Sequence, residues 1–217
     1  METGDGTTIG DDGVARCWWC GDDPLYVAYH DREWGLPIRD ERALFELLCL
    51  EGFQAGLSWL TILRKRVGFR EAFEGFDPAV VARYGTRQVD QLLLNPGIVR
   101  HRGKITATIA NAQAVEAMHD AGTSLTQIAW SLAPPSRPHP LAARTAVPAE
   151  TPESGQLART LRKWGMRFVG PTTVYAFMQS AGLVDDHLAG CHQAGAGQAR
   201  RRRTARPADP EPEPRPK

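Results

Sequence analysis

Residues Leu92–Val115, LLLNPGIVRHRGKITATIANAQAV, contain two helical runs separated by the tight turn Asn95–Ile98. A Pro-Gly turn between helices exposes backbone N–H groups at the start of the second helix, an arrangement that suits a phosphate. The cations that follow would hold a DNA backbone without reading its sequence. We therefore predict a helical hairpin with candidate DNA-backbone residues Gly97, Arg100, Arg102 and Lys104. The alternative is a helical hairpin with a solvated charged face.

The sequence on either side of this hairpin also follows helical periodicity. Asp40 is a good N-cap, and Asp77-Pro78 places proline at a first helical position. Six prolines over residues 133–152 predict a loop. Because we find no convincing alternating strand pattern, the predicted fold class is all-α. The expected helices are Arg42–Leu50, Leu57–Val67, one starting at Pro78, Val89–Leu94, Lys104–Met118, Pro152–Trp164 and Thr172–Ala181.

Composition predicts one folded region with a tail at each end. The chain has 217 residues and is 42% apolar, which suits one sizeable domain, expected over residues 15–193. Residues 1–14 are polar and Gly-rich, and residues 194–217 are rich in Arg and Pro. We expect both tails to be disordered. The run Arg200–Arg203 is interpreted as part of a solvated tail rather than as a phosphate contact.

The absence of targeting signals and apolar spans favours a cytoplasmic protein without membrane segments, and a monomer fits a domain of this size. We find no run of 18 apolar residues and no secretory leader, and the four cysteines are too few for a disulfide framework. The formal net charge is +1, so affinity for nucleic acid would have to come from local patches.

Cysteine and histidine residues near the two chain ends predict a metal site. His187 and Cys191 are four residues apart, so both side chains face the same way on a helix or tight turn. The spacing leaves two ligand sets open: Cys17, His30, His187 and Cys191, or Cys17, Cys20, His187 and Cys191. Either set suits tetrahedral Zn²⁺, and four protein ligands would make the site structural. The alternative is a group of ordinary buried thiols and surface imidazoles.

The segment Glu46–Trp59, ELLCLEGFQAGLSW, places one carboxylate, Glu51, on an apolar helix face. Burying this group is unfavourable unless a cation or donor pairs with it. Aromatic residues crowd the same third of the chain, and most are explained by a core. Aromatic rings around a buried anion are also what recognition of an extruded cationic base requires.

These motifs together resemble the bacterial 3-methyladenine DNA glycosylase I family. The resemblance is carried by RC-x-W, DPLYVAYHDREWG, LFELLCLEGFQAGLSW, GIVRHRGKI, FVGPTTVYAFMQ and GLVDDH-x-x-GC, which run from about Arg16 to Cys191. It implies an all-α member of the helix–hairpin–helix glycosylase superfamily with one structural zinc per chain. It also implies that the ligands are Cys17, His30, His187 and Cys191, and that Cys20 is an additional cysteine.

The resemblance further implies that Glu51 recognises the alkylated base and that aromatic residues build its pocket: Trp19, Tyr26, Tyr29, Trp34 and Trp59. Many related glycosylases carry an aspartate about two dozen residues after the hairpin. This family is similar in lacking it, so we interpret Asp120, which falls near that distance, as a surface residue.

The expected function is hydrolysis of the N-glycosidic bond of 3-methyladenine in alkylated double-stranded DNA, leaving an abasic site. The motifs contain no obvious Schiff-base lysine, so a monofunctional enzyme without strand cleavage is expected. The alternative is a non-catalytic, zinc-stabilised module that binds damaged DNA.

Overall fold

The computed structural model describes residues 3–205 and is mostly helical, as the sequence predicts. Two short strands, β1 and β2, precede the helices, and three 3₁₀ turns interrupt the connections. The elements are β1 Thr7–Ile9, β2 Ala15–Cys17, α1 Pro24–Arg32, α2 Glu41–Gln54, α3 Trp59–Ala72, α4 Pro78–Val81, α5 Thr86–Leu94, α6 Arg102–Asp120, α7 Leu125–Ser131, α8 Pro152–Lys163, α9 Pro171–Ser180 and α10 Ala196–Ala205. No helix within residues 3–205 combines the length and apolar character that a membrane crossing needs.

Most of the predicted helices are present, with ends that differ by a few residues. The Asp40 side chain caps α2 by accepting a hydrogen bond from the Ala43 amide over 2.8 Å. Pro78 occupies the first position of α4. The sequence prediction missed α1 and α7, and it ended α3 at Val67, five residues too early.

The N-terminal segment differs from the expected disordered tail. Strands β1 and β2 pair antiparallel, with Thr7 opposite Cys17, around a turn in which Gly13 has φ +74°. The backbone carbonyl of Asp5 also accepts a hydrogen bond from the Arg144 amide over 2.9 Å. Backbone pairing holds this segment, which explains why its polar composition gave no sign of it.

The C-terminal segment differs in the same way over residues 196–205, which form α10. Arg201 is not a solvated side chain: its guanidinium donates to the backbone carbonyls of Leu183 at 2.6 Å and Pro134 at 3.0 Å. The remainder of the predicted tail, residues 206–217, lies outside the described residues.

Helix α2 forms the centre of the core. From Leu44 to Phe53 every residue except Glu46 is buried, and α2 packs against α3, α6, α7 and α9. A helix that is buried on all sides belongs to the interior of its domain. Glu51 is therefore held on the most enclosed element of the described structure.

The hairpin formed by α5, the turn at Asn95 and α6 packs directly on α3. A Cβ atom on Gly68 would lie 2.6 Å from the carbonyl oxygen of Gly97, so the two backbones touch. Within the turn, the Gly97 amide donates to the Asn95 side chain over 2.7 Å. These contacts fix the hairpin relative to the helices that carry the cavity described next.

Candidate functional site

A cavity of about 190 Å³ opens between α1, α2 and α9. Its wall combines aromatic rings with a few polar side chains. The lining residues are Trp18, Trp19, Tyr26, Tyr29, Trp34, Glu51, Gln54, Trp59, Val147, Ala176, Gln179, Ser180 and Asp186. The structure therefore brings together Glu51 and all five aromatic residues that the sequence singled out for a pocket.

Glu51 is the buried carboxylate at the centre of this wall, with 3% of its surface exposed. One oxygen, Oε1, accepts a hydrogen bond from the Ser180 hydroxyl over 2.8 Å. The other, Oε2, has no hydrogen-bond partner among residues 3–205. Burial raises the pKa of Glu51 to about 8, against a smaller opposing effect of the Ser180 hydrogen bond. The group can therefore change protonation state near neutral pH.

Unsatisfied polar atoms concentrate at this cavity. In the described part of the chain, three buried side-chain atoms lack a hydrogen-bond partner: Tyr29 Oη, Glu51 Oε2 and Trp59 Nε1. All three belong to lining residues. The Tyr29 hydroxyl lies beside Ser180 without a hydrogen bond of normal geometry. Since buried polar groups are normally paired, these three atoms indicate a polar ligand.

The aromatic rings pack edge to face or tilted rather than stacked on one another. The Trp19 ring centre lies 5.1 Å from that of Tyr26 and 4.9 Å from that of Trp34. The rings of Tyr29 and Trp59 are 5.6 Å apart at 49°. Both geometries are favourable for ring pairs. They fix a rigid wall against which a planar ligand can pack.

The sequence analysis missed a second buried carboxylate in the wall, Asp186. Its Oδ2 accepts hydrogen bonds from the Tyr175 hydroxyl at 2.5 Å and from Gln179 Nε2 at 2.8 Å, and its Oδ1 accepts from Arg137. Unlike Glu51, this group is fully paired. Its position beside His187 in the DDH motif was the available signal.

Four buried side chains form a cluster that can hold a metal ion: Cys17, His30, His187 and Cys191. Their ligand atoms lie within 4.8 Å of one another. Cys191 Sγ is 3.4 Å from His30 Nε2 and 3.6 Å from His187 Nδ1, and Cys17 Sγ is 3.8 Å from His187 Nδ1. The hydrogen bond between the two thiols lowers the pKa of Cys191, with smaller contributions from the two imidazoles, and raises the pKa of Cys17, so Cys191 carries the thiolate of the pair. Thiolate character is what metal coordination requires.

The second nitrogen of each imidazole is held by a partner outside the cluster. His30 Nδ1 lies 2.7 Å from Asp31 Oδ1, and Arg16 in turn pairs with Asp31 at 2.9 Å. His187 Nε2 lies 3.2 Å from the Trp34 carbonyl oxygen. These contacts assign the proton of each ring to the outer nitrogen. The unprotonated nitrogens, His30 Nε2 and His187 Nδ1, face the cluster, and His30 Nε2 also accepts a hydrogen bond from the Cys17 amide over 3.3 Å.

Cys20 does not join the cluster, so the rival ligand set is wrong. Its thiol donates to the Gly21 carbonyl over 3.5 Å, at the end of the 3₁₀ turn Trp18–Cys20. All four cysteines are free of disulfide bonds within the described residues.

The hairpin cations differ in their surroundings. Arg100 is exposed, and Arg102 forms an exposed ion pair with Asp90 at 2.8 Å. The structure contradicts the prediction that Lys104 contacts the DNA backbone. Lys104 is 7% exposed, and its ammonium donates to the carbonyls of Phe53 at 2.8 Å and Ala55 at 2.6 Å. It satisfies the C-terminal carbonyls of α2 and is not available to a DNA backbone.

Asp120 is exposed at the C-terminal end of α6. It is absent from the residues that line the cavity. The interpretation of Asp120 as a surface residue is confirmed.

Comparison with known proteins identifies what the chain is similar to. A family model described as methyladenine glycosylase matches residues 19–194. Over 180 residues the chain is 47% identical to DNA-3-methyladenine glycosylase 1 of Escherichia coli strain K12, an alignment that covers 82% of this chain and 96% of that protein.

Two solved structures extend this similarity to the fold. A crystal structure of 3-methyladenine DNA glycosylase I superposes with a TM-score of 0.79 at 50% identity, covering 82% of this chain and 98% of that one. A variant of 3-methyladenine DNA glycosylase I solved in complex with 3-methyladenine gives a TM-score of 0.74 at 37% identity, covering 80% and 96%.

Proposed function

The chain belongs to the methyladenine glycosylase family, and from this premise we propose that it hydrolyses the N-glycosidic bond of 3-methyladenine in alkylated double-stranded DNA. The product is an abasic site. The observation that carries the proposal is the buried Glu51, whose Oε2 has no partner within residues 3–205 and belongs to an aromatic-lined cavity. A base must leave the helical stack to reach such a cavity.

Glu51 distinguishes the alkylated base by charge. In DNA, 3-methyladenine carries a delocalised positive charge, and its exocyclic amine can donate to a carboxylate. With a pKa of about 8, Glu51 is largely protonated at neutral pH before binding. A cationic base nearby stabilises the ionised form, so binding expels the proton and creates a buried ion pair. Normal adenine is neutral and gives no such gain.

The positive charge of the base also lowers the activation barrier that the enzyme has to overcome. Cleavage releases the base as a neutral molecule, so the glycosidic bond is already weakened before the enzyme acts. As the bond breaks, the charge moves from the base toward the sugar. A carboxylate at the base therefore contributes mainly to binding and orientation.

The aromatic wall supports the same selectivity. The rings of Trp19, Tyr26, Tyr29, Trp34 and Trp59 present π-electron density to the ligand. Electron-rich faces attract a cationic ring more strongly than a neutral one. Tyr29 Oη and Trp59 Nε1 add hydrogen-bonding groups without partners among the described residues, and these can meet ring nitrogens of the base.

The metal cluster is proposed to hold one structural Zn²⁺. Zinc bonds of about 2.3 Å to sulfur and about 2.0 Å to nitrogen, at tetrahedral angles, separate the two ligand atoms by roughly 3.5 Å. The sulfur–nitrogen distances of 3.4, 3.6 and 3.8 Å bracket this value. With four protein ligands, the ion would join β2 and α1 to the segment around residues 187–191 and take no part in the reaction.

The hairpin α5–turn–α6 is proposed as the helix–hairpin–helix element that meets the DNA backbone. Arg100 is exposed, and Arg102 can exchange its exposed partner Asp90 for a phosphate. The Gly97 amide is already bonded to Asn95, so Gly97 contributes the close turn rather than a donor. Lys104 is removed from this set because its ammonium is bound to α2.

The remaining proposals concern the setting of the enzyme. We infer one catalytic domain over residues 15–193, extended by the β1 strand and α10, that acts as a monomer in the cytoplasm. No Schiff-base lysine is proposed, so the abasic strand stays intact after the base is released.

Release of free base from methylated duplex DNA, measured by chromatography, tests the proposal. We expect 3-methyladenine to appear while the strand remains uncut. Tight binding to methylated DNA without release of base would instead favour a non-catalytic damage-binding module. Strand cleavage or a borohydride-trapped adduct would overturn the monofunctional assignment.

A further inference from the structure

Phe168 adopts an unusual backbone conformation in the loop between α8 and α9. Its φ is +56°, in the left-handed region that bulky residues rarely occupy. Its side chain is nevertheless 40% exposed. Phe76 has the same φ, but its side chain is fully buried, and the packing of its ring in the core explains that backbone conformation. Phe168 has no such explanation, and strained residues of this kind cluster at functional sites.

The surrounding structure forces Phe168 outward. The buried Asn111 of α6 accepts a hydrogen bond from the Arg167 amide over 2.7 Å and donates to the Arg167 carbonyl over 3.2 Å. Met166 and Val169, on either side, are both buried. The loop is therefore anchored before and after Phe168, and the strain is held in place by several independent contacts.

Phe168 lies between the base-binding helix and the hairpin. A Cβ atom on Gly52, the residue next to Glu51, would lie 3.3 Å from the Phe168 Cβ. On the other side, the Phe168 ring meets the His101 ring edge to face, with 6.5 Å between centres. His101 is the N-cap of α6, so the ring connects the two elements proposed to meet the base and the backbone.

We propose that Phe168 contacts the DNA bases beside the lesion and fills part of the space that the extruded base vacates. This inference rests on the proposed glycosylase function. Extruding a base removes stacking that a neighbouring aromatic ring can replace. A ring held rigidly in an exposed position makes this contact without losing conformational freedom on binding.

The test compares Phe168→Ala with Ile9→Ala, which removes an apolar side chain of similar exposure, 44%, from β1. Two quantities are measured for each variant: kcat/KM for excision from methylated duplex DNA, and affinity for free 3-methyladenine by tryptophan fluorescence. For Phe168→Ala we expect roughly a tenfold fall in kcat/KM, since stacking on one base is lost. Free-base affinity should stay within about twofold of wild type. Ile9→Ala should change neither quantity.

Phe168→Trp adds a rescue arm, because a larger ring can still stack, and it should keep most of the wild-type kcat/KM. Wild-type kcat/KM in Phe168→Ala would overturn the inference. An equal loss of free-base affinity would also overturn it, because Phe168 would then act through the pocket and not through DNA. If the wild-type protein itself released no base, the proposed function would fail instead.

Discussion

His187 Nε2 donates a hydrogen bond to the backbone carbonyl of Trp34 over 3.2 Å. The two rings also pack edge to face, with 4.6 Å between their centres. Nδ1 of the same imidazole lies in the metal cluster, 3.6 Å from Cys191 Sγ. The His187 side chain therefore connects the metal cluster to the wall of the base cavity. We expect loss of the metal to disturb that wall.

The first prediction concerns the effect of losing the metal on base binding. Elemental analysis should find about one zinc per chain, and Cys191→Ser should lose it because a buried ligand is removed. The same variant should bind free 3-methyladenine at least tenfold more weakly, because the hydrogen bond and ring contact of His187 no longer hold Trp34 in place. Tryptophan fluorescence titration measures this affinity.

Cys20→Ser is the matched control, since Cys20 is also a buried thiol but lies outside the cluster. It should keep both the zinc and the base affinity. Zinc retained in Cys191→Ser and lost in Cys20→Ser would contradict the proposed ligand set.

The second prediction is that excision depends on the negative charge of Glu51. Glu51→Gln keeps the shape and the Ser180 partner but removes the anion. A hydrogen bond to a charged group contributes about 1.5–3 kcal/mol, so kcat/KM for 3-methyladenine should fall roughly 10- to 100-fold. In the wild type, kcat/KM should rise with pH as free Glu51 ionises, with its midpoint near pH 8 and its plateau above that pH. Glu51→Gln should lack this rise. A variant that excises at the wild-type rate across this range would refute the role of charge.

Stability should depend on pH through the same residue. The pKa of Glu51 is raised by burial from its ordinary value of 4.5 to about 8, so the folded protein binds more protons than the unfolded chain between these values. The free energy of unfolding therefore falls as pH rises through this window. Glu51→Gln removes this penalty and should be the more stable protein above pH 8, by a few kcal/mol at most.

Thermal unfolding at pH 5 and pH 9 measures the effect. The advantage of Glu51→Gln over wild type should be larger at pH 9. Glu71→Gln, which neutralises an exposed carboxylate on α3, should show no such difference. Equal stability of the wild type and Glu51→Gln at pH 9 would mean that Glu51 carries no burial penalty.

How much the sequence predicts depends on whether the signal is local. Helix α2 follows from its cap at Asp40 and its apolar periodicity, and the burial of Glu51 follows from its position on that face. Helix α1 was missed although Asp23-Pro24 repeats the Asp-Pro start that located α4. The crowded aromatic residues and the Gly/Asp-rich flank obscured an ordinary helical signal there.

Features that depend on distant contacts could not be read from the sequence. Spacing left Cys20 and His30 as equal candidates, because only the folded chain brings His30 of α1 to Cys191. The strain at Phe168 depends on Asn111, 56 residues away from the adjacent Arg167. Lys104 was assigned to DNA because a basic sequence pattern does not show which cations turn inward.

The last prediction concerns Lys104 and Arg100, since Lys104 is a structural cation and Arg100 is proposed to meet DNA. The Lys104 ammonium bonds two backbone carbonyls at the end of α2, and burial lowers its pKa. Lys104→Met leaves these carbonyls unpaired and should lower the free energy of unfolding by about 1–3 kcal/mol. Arg100→Ala removes an exposed side chain and should leave stability within about 0.5 kcal/mol of wild type.

The dependence of DNA affinity on salt should show the opposite pattern. Each phosphate contact that is lost reduces the slope of log affinity against log salt by about 1, so Arg100→Ala should bind duplex DNA more weakly and with a smaller slope. Lys104→Met should keep the wild-type slope, even if its affinity for DNA falls because the end of α2 shifts and distorts the pocket. A reduced slope in Lys104→Met, with unchanged stability, would mean that its ammonium leaves Phe53 and Ala55 for a phosphate when DNA binds.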